Sequence, residues 1–307
     1  MEDSQDADAL TYDGLHAQFA WDIPARFNFG VDVVDKWAAE TPDHLALIWA
    51  DDKGTERRFT FDDMRVLSNR FANYPASKGV GKGDRVVVML PRIPEWQIAV
   101  VGCIKLGAVP IPSVTMLTRK DMDYRVDHSG AVAVVTTAEN TERFSEGMRI
   151  RLAVGGAGGW DDFETAMAAQ SYAFDPPVVE AEDPAIMFYT SGSTGMPKGV
   201  CHASRGLFTW RYSAQYWLAL TDRDVMWCTA DTGWSKAGTS ILFGPWSQGS
   251  TVFFYDGPFE PEKRLALLAK YGVTVYCASA TEIRQILHLE NRGATPEALR
   301  LTVSAGE

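Results

Sequence analysis

Apolar residues along the chain alternate between short unbroken runs and helical spacing, the pattern of buried parallel strands joined by amphipathic helices. The alternation is regular from Arg85 onward. Val86-Val-Val-Met-Leu90 reads as a buried strand. Pro94 and Glu95 then open a helix, with a first-turn proline and an acid near the positive end of the helix dipole, and Gly107 closes it. The strand pattern restarts over 109–111. Thr118 and Asp121 form a partial capping box for a helix ending at Ser129-Gly130, and a strand follows over 131–136. Further strands are expected over 225–229, 251–255, 273–277 and 301–304, with helices near 204–218, 260–270 and 279–290. Upstream, Val33, Val34 and Trp37 suit a short helix stopped at Thr41-Pro-Asp, ahead of a strand over 45–49. Thr60 caps a helix with Met64, Leu67 and Phe71 on one face, which Pro75 is expected to kink or end early.

This repeated βα order predicts the α/β class, with two parallel-rich sheets and helices between and around them. Residues 1–30 carry acids and aromatics without a clear period and are expected to form a tail or cap. The polar connection from Asp175-Pro-Pro to Asp183-Pro184 divides a first subdomain, 31–180, from a second, 181–307. Gly155-Gly-Ala-Gly-Gly159 lacks the register of a dinucleotide fingerprint and reads as a turn.

Candidate chemistry concentrates in Tyr189-Thr-Ser-Gly-Ser-Thr-Gly-Met-Pro-Lys-Gly199. The apolar run Ala185-Ile-Met-Phe-Tyr189 reads as a buried strand that places this loop at the carboxyl end of a sheet, where open α/β folds bind ligands. Glycines 192, 195 and 199 let backbone N–H groups close on an anion; Ser191, Ser193 and Thr194 add hydroxyls, and Lys198 adds a positive charge. The loop does not end in Gly-Lys-Ser/Thr, which argues against a Walker-type phosphate loop. Ser193 has no evident His/Asp partner order for a hydrolase triad. Histidines 16, 44, 128 and 288 show no metal spacing, and the scattered cysteines 103, 201, 228 and 277 read as reduced thiols.

With 307 residues, 46% of them apolar and 22% charged, the chain is long and apolar enough to bury a sizeable core. A formal charge of −11 argues against general binding to nucleic acid or anionic membrane, yet a local cradle of N–H donors is compatible with it. The acidic N-terminus lacks a secretory pattern, and a cytoplasmic location is expected.

The loop resembles the signature segment of the adenylate-forming superfamily. The likeness extends to Arg92-Ile-Pro-Glu-Trp96, Gly102-Cys-Ile-Lys-Leu-Gly-Ala-Val-Pro-Ile-Pro112, Leu117-Thr and Asp123-Tyr-Arg125 upstream, and to Asp231-Thr-Gly-Trp234 and Phe243-Gly-Pro-Trp246 downstream. These are similar to the medium-chain acyl-CoA synthetase branch. The resemblance implies the N-terminal domain of the adenylate-forming fold, without its β-barrel and C-terminal lobe. It implies ATP-dependent activation of a medium-chain fatty or aromatic acid to an acyl-adenylate and then to acyl-CoA, with ATP, Mg2+ and CoA as cofactors.

By the same resemblance, Thr190, Ser191, Gly192, Ser193, Thr194, Gly195 and Lys198 contact the β- and γ-phosphates, Lys198 stabilising their charge. Gly306 and Glu307 begin the segment that approaches adenine and ribose. Trp234, Ser235, Gly238 and Thr239 line the acyl pocket, the small residues leaving room for substrate, and His202 gates it or meets the carboxylate. Lys236 reads as a solvated lysine, with contact to the carboxylate or CoA as the alternative. Of the other aromatics in this half, Trp210, Tyr212, Tyr216, Trp217, Trp227 and Trp246 are expected mainly in the core. No metal-ligating residue is assigned. Family members carry the magnesium-facing glutamate, the ribose-binding aspartate, the hinge and the adenylation lysine beyond the segment matching Glu307. The alternatives are a non-catalytic nucleotide- or acyl-binding module, half of a split enzyme, or adenylation for a carrier protein, with a homodimer or a C-terminal part as partner.

Overall fold

A computed structural model describes residues 11–191, 195–290 and 293–304. Its strands are β1 Leu45–Asp51, β2 Glu56–Thr60, β3 Arg85–Met89, β4 Val109–Pro112, β5 Ala133–Thr137, β6 Ile150–Val154, β7 Asp161–Asp162, β8 Pro184–Thr190, β9 Lys198–Ala203, β10 Val225–Cys228, β11 Thr251–Asp256, β12 Val275–Ala278 and β13 Leu301–Ser304. The longer helices are α1 Phe61–Ser77, α2 Pro94–Lys105, α3 Arg119–Ser129, α4 Ser204–Tyr212, α5 Pro261–Lys270 and α6 Ala280–Leu287. No described helix is long and apolar enough to cross a membrane.

The expected α/β class with parallel-rich sheets is present. One sheet has the order β4-β3-β5-β6-β7 and is parallel throughout. The other has the order β13-β12-β10-β11-β1-β2, parallel except for the antiparallel edge strand β2. The two sheets do not divide along the chain near residue 180. β1 lies far upstream yet pairs in parallel with β11, Leu47 opposite Val252, so the second sheet draws on both halves of the sequence.

Three further differences have local causes. β8 is not a strand of a parallel sheet; it pairs antiparallel with β9 in a two-stranded ribbon, so Thr190 and Lys198, which flank the Ser/Gly segment, stand opposite each other on the two legs of a hairpin. β9 and β2 escape the apolar pattern because they are short and largely polar or exposed, β2 reading Glu-Arg-Arg-Phe-Thr on an open edge. α1 is not cut short by Pro75 but runs on to Ser77. The proline stands in the last turn, where its missing N–H costs one helical bond, and its carbonyl accepts from Lys78 and Val80.

Both predicted caps form as full capping boxes. Asp63 N donates to Thr60 Oγ1 at 3.1 Å while Thr60 N donates to Asp63 Oδ2 at 2.8 Å. Thr118 and Asp121 do the same at the start of α3, which ends on left-handed Gly130, φ 61°. Thr118→Ala should lower stability by about 1 kcal/mol in urea unfolding, the usual cost of losing such a cap.

The core holds Trp96, Trp227 and Trp246, all fully buried. It also holds a fully buried charge. Lys105, at the end of α2, is 0% exposed and donates to Asp35 Oδ1 at 2.5 Å and Asn69 Oδ1 at 2.6 Å. Burial pushes its pKa down to about 8 against the pull of Asp35.

Candidate active site

The hairpin ends define the first half of the site. Thr190 closes β8, Lys198 opens β9, and the two are register partners. Thr190, Ser191 and Lys198 are exposed, and Lys198 makes no ion pair with a described residue. Gly195 takes φ 137°, a backbone setting that favours glycine. Gly192, Ser193, Thr194, Gly306 and Glu307 lie outside the described residues.

Beside the hairpin lies a cleft of about 240 Å³. Its walls are the end of β4 and the following Ser113 and Val114, the hairpin residues Tyr189, Thr190, Ser191 and Pro197, the turn residues Gly233 and Trp234, and Arg125 from α3. The phosphate-loop motif and the Asp-Thr-Gly-Trp motif, separate in sequence, therefore face one space. The turn is built to reach it. Asp231 Oδ1 accepts from Gly233 N at 3.0 Å, and buried Thr232 donates to the Leu90 carbonyl at the end of β3 at 2.5 Å.

Gly233 then passes so close to the β4 exit that an added Cβ would stand 2.1 Å from Val114 N. Both groups are backbone, so neither yields cheaply. Gly233→Ala should cost about 2–3 kcal/mol in urea unfolding, in the range of overpacking, and Trp234 fluorescence should shift as the turn is displaced.

Trp234 is 54% exposed, as a cleft wall requires, and Ser235 beside it is exposed. The remaining predicted pocket residues sit elsewhere. Gly238 is buried, and a Cβ there would stand 3.1 Å from Phe188 Cζ and 3.2 Å from Phe243 Cε2. Its smallness serves close packing of aromatics rather than open space. Thr239 is half-buried and donates to the Lys236 carbonyl at 3.1 Å. His202 on β9 does not line the cleft; its ring lies 6.0 Å from that of Phe188 and 5.3 Å from that of Trp210. Burial lowers its pKa, which disfavours the charged form that would pair with a carboxylate.

Lys236 turns toward the buried pair Cys228 and Cys277, register partners on β10 and β12. The Cys277 thiol is held below its ordinary pKa, first by its hydrogen bond with Cys228 and then by Lys236. Among the aromatics, Trp227 and Trp246 are core as expected. Tyr216 and Trp217 are not; each is half or more exposed, and the Tyr216 ring lies 6.5 Å from that of Phe19 in the N-terminal segment.

Ser113, Val114, Arg125 and Pro197 join the cleft without having been singled out as site residues. Arg125 and Pro197 belong to recognised segments, but nothing local signals that they share a wall. A larger groove of about 380 Å³ lies along β13, lined by residues such as Leu265, Leu268, Ile283 and Leu299. None of its described lining residues is charged, and phosphate chemistry favours the smaller cleft.

The fold is that of an adenylate-forming domain, and the chain belongs to the AMP-binding enzyme family, which it matches over residues 34–307. Within that family it is 35% identical to human mitochondrial acyl-coenzyme A synthetase ACSM3, over 96% of this chain and 53% of that protein. It is 32% identical to rat mitochondrial ACSM4, over 93% of this chain and 52% of that protein. Among solved structures, the Brucella canis acyl-CoA synthetase superimposes with a TM-score of 0.85 at 28% identity, covering 96% of this chain and 57% of that one. The chain thus spans about half the length of the curated relatives it matches.

Proposed function

We propose that the cleft binds ATP, as its magnesium complex, beside an apolar carboxylic acid and supports formation of an acyl-adenylate that passes to CoA. One observation carries this reading: Thr190, Ser191 and Pro197 of the hairpin share a single cleft with Gly233 and Trp234. In the first step a carboxylate oxygen bonds to the α-phosphorus while the bond to the β-phosphate bridge breaks and pyrophosphate leaves. The acid is its own nucleophile, so no protein base is needed. What the chain must supply is placement and positive charge at the leaving group, which suits Lys198 and the hairpin N–H groups. The apolar part of the cleft wall, Val114, Met116, Leu117 and Trp234, favours an apolar acid, medium-chain or aromatic.

No described group of three His, Cys, Asp or Glu residues forms a metal cage. By this reading magnesium arrives on the triphosphate, as part of the substrate.

ATP–pyrophosphate exchange across a panel of carboxylic acids tests the reading, with Lys198→Ala as control. Acid-dependent exchange well above the control supports it. Nucleotide binding without exchange supports instead a binding module or one half of a split enzyme. Product analysis with CoA separates thioester formation from transfer to a carrier protein.

A further inference from the structure

The hairpin that carries Lys198 is hydrogen-bonded into neither large sheet. Its position over the cleft must be set by side chains. Helix α3 supplies them on both legs. Tyr124 donates its hydroxyl to the Pro197 carbonyl at 2.9 Å, one residue before Lys198. On the other leg Tyr189 donates to the Arg125 carbonyl at 3.3 Å and pairs with His128 Nδ1 at 2.8 Å, an arrangement satisfied when that nitrogen carries the hydrogen. The Arg125 guanidinium lies over the Tyr189 ring at 5.1 Å, and Tyr124 stacks on His128 with centroids 5.4 Å apart.

The helix is itself fixed. Thr118 and Asp121 cap its start, and Arg85 at the head of β3 donates to the carbonyls of Ser129 and Gly130 at 2.7 and 2.8 Å at its end. A continuous path therefore runs from the five-stranded sheet, through α3, to the two ends of the hairpin.

We propose that Tyr124 and Tyr189 are positioning residues that lock the hairpin to α3 and so hold Lys198 at the triphosphate side of the cleft. The assignment rests on the ATP-binding reading above. Neither tyrosine touches the reacting atoms by this account; Tyr124 acts through the Pro197 carbonyl, and Tyr189, which borders the cleft, acts through β8, one residue before its end. The partners are 73 residues apart for Tyr124 with Pro197 and 64 for Tyr189 with Arg125, so this brace has no local sequence signature.

Tyr124→Phe and Tyr189→Phe each delete only a hydroxyl and keep the rings. Two measurements on the full chain decide. In equilibrium titration, Tyr124→Phe should weaken ATP about fivefold, the scale of one hydrogen bond, and leave the affinity for the carboxylic acid unchanged. In hydrogen–deuterium exchange without nucleotide, peptides covering 195–203 should exchange faster in Tyr124→Phe, and those covering 184–191 faster in Tyr189→Phe.

Unchanged ATP affinity overturns the positioning role, whatever the exchange shows, provided that wild-type binding is sensitive to Lys198→Ala. An equal loss of ATP and acid affinity also overturns it, since a general loosening would act on both. If the wild-type chain binds no ATP, the ATP reading fails by itself. The brace is then judged on exchange alone, and unchanged exchange in both variants overturns it.

Discussion

Lys198→Ala is expected to weaken ATP binding by about ten- to a hundredfold while leaving AMP binding nearly unchanged. The lysine opens β9 opposite Thr190, is exposed and has no ion pair among the described residues. Its charge is not committed to the fold, so its loss should move the melting temperature little. Charge-assisted hydrogen bonds to phosphate contribute about 1.5–3 kcal/mol, which sets the expected range. Comparing nucleotides gives the test its resolution. If Lys198 meets the β- and γ-phosphates, AMP lacks its partner and does not register the substitution. Calorimetric titration showing equal losses for ATP and AMP would relocate the lysine to the α-phosphate, and no loss for either would remove it from the site. Thr190→Ala, which removes one neutral hydroxyl at the same end of the hairpin, should cost only a few-fold.

Strands and helices were legible where one local signal sufficed. Val86-Val-Val-Met-Leu90 and the run near Thr251 are buried on both faces, so continuous apolar sequence marks them without any partner being known. Thr60 with Asp63 and Thr118 with Asp121 announce helix starts because the capping bonds span only three residues. Pairing across long separations leaves no such mark. β1 crosses to β11, and β8 turns back on β9 rather than entering a parallel sheet, because register depends on a partner that a local window cannot contain.

The site divides in the same way. The hydroxyls, glycines and lysine of the loop advertise phosphate chemistry by composition, and Asp231-Thr-Gly-Trp234 by resemblance. That Gly233 must slide past Val114, and that Tyr124 must reach Pro197, are properties of the assembled molecule. Gly238 shows the converse. A small residue in a recognised pocket segment suggested open space, yet two phenylalanine rings fill it.

The largest effect on stability should come from a position with no part in the chemistry. Lys105→Met is expected to destabilise the protein by about 2–4 kcal/mol at pH 7. Removing one member of a buried pair costs about 3–5 kcal/mol because the other charge is left uncompensated. Here the partner Asp35 keeps 28% side-chain exposure, and Arg65 remains nearby as a weaker counter-charge, so the loss is shifted to the low end of that range and somewhat below it. The penalty should depend on pH in a defined direction. Burial already raises the Asp35 pKa above its ordinary value despite Lys105, and loss of the lysine must raise it further. A carboxyl whose folded pKa lies above its unfolded one contributes stability that is complete below the unfolded value and is lost as pH rises through the folded one. The variant should therefore approach wild-type stability near pH 4 and fall away toward pH 7, as read by urea unfolding at both. Lys105→Met combined with Asp35→Asn removes the stranded charge and should recover most of the loss at pH 7. A double variant no more stable than Lys105→Met alone would show that packing of the lysine stem against Gly30, rather than its charge, holds this part of the core together.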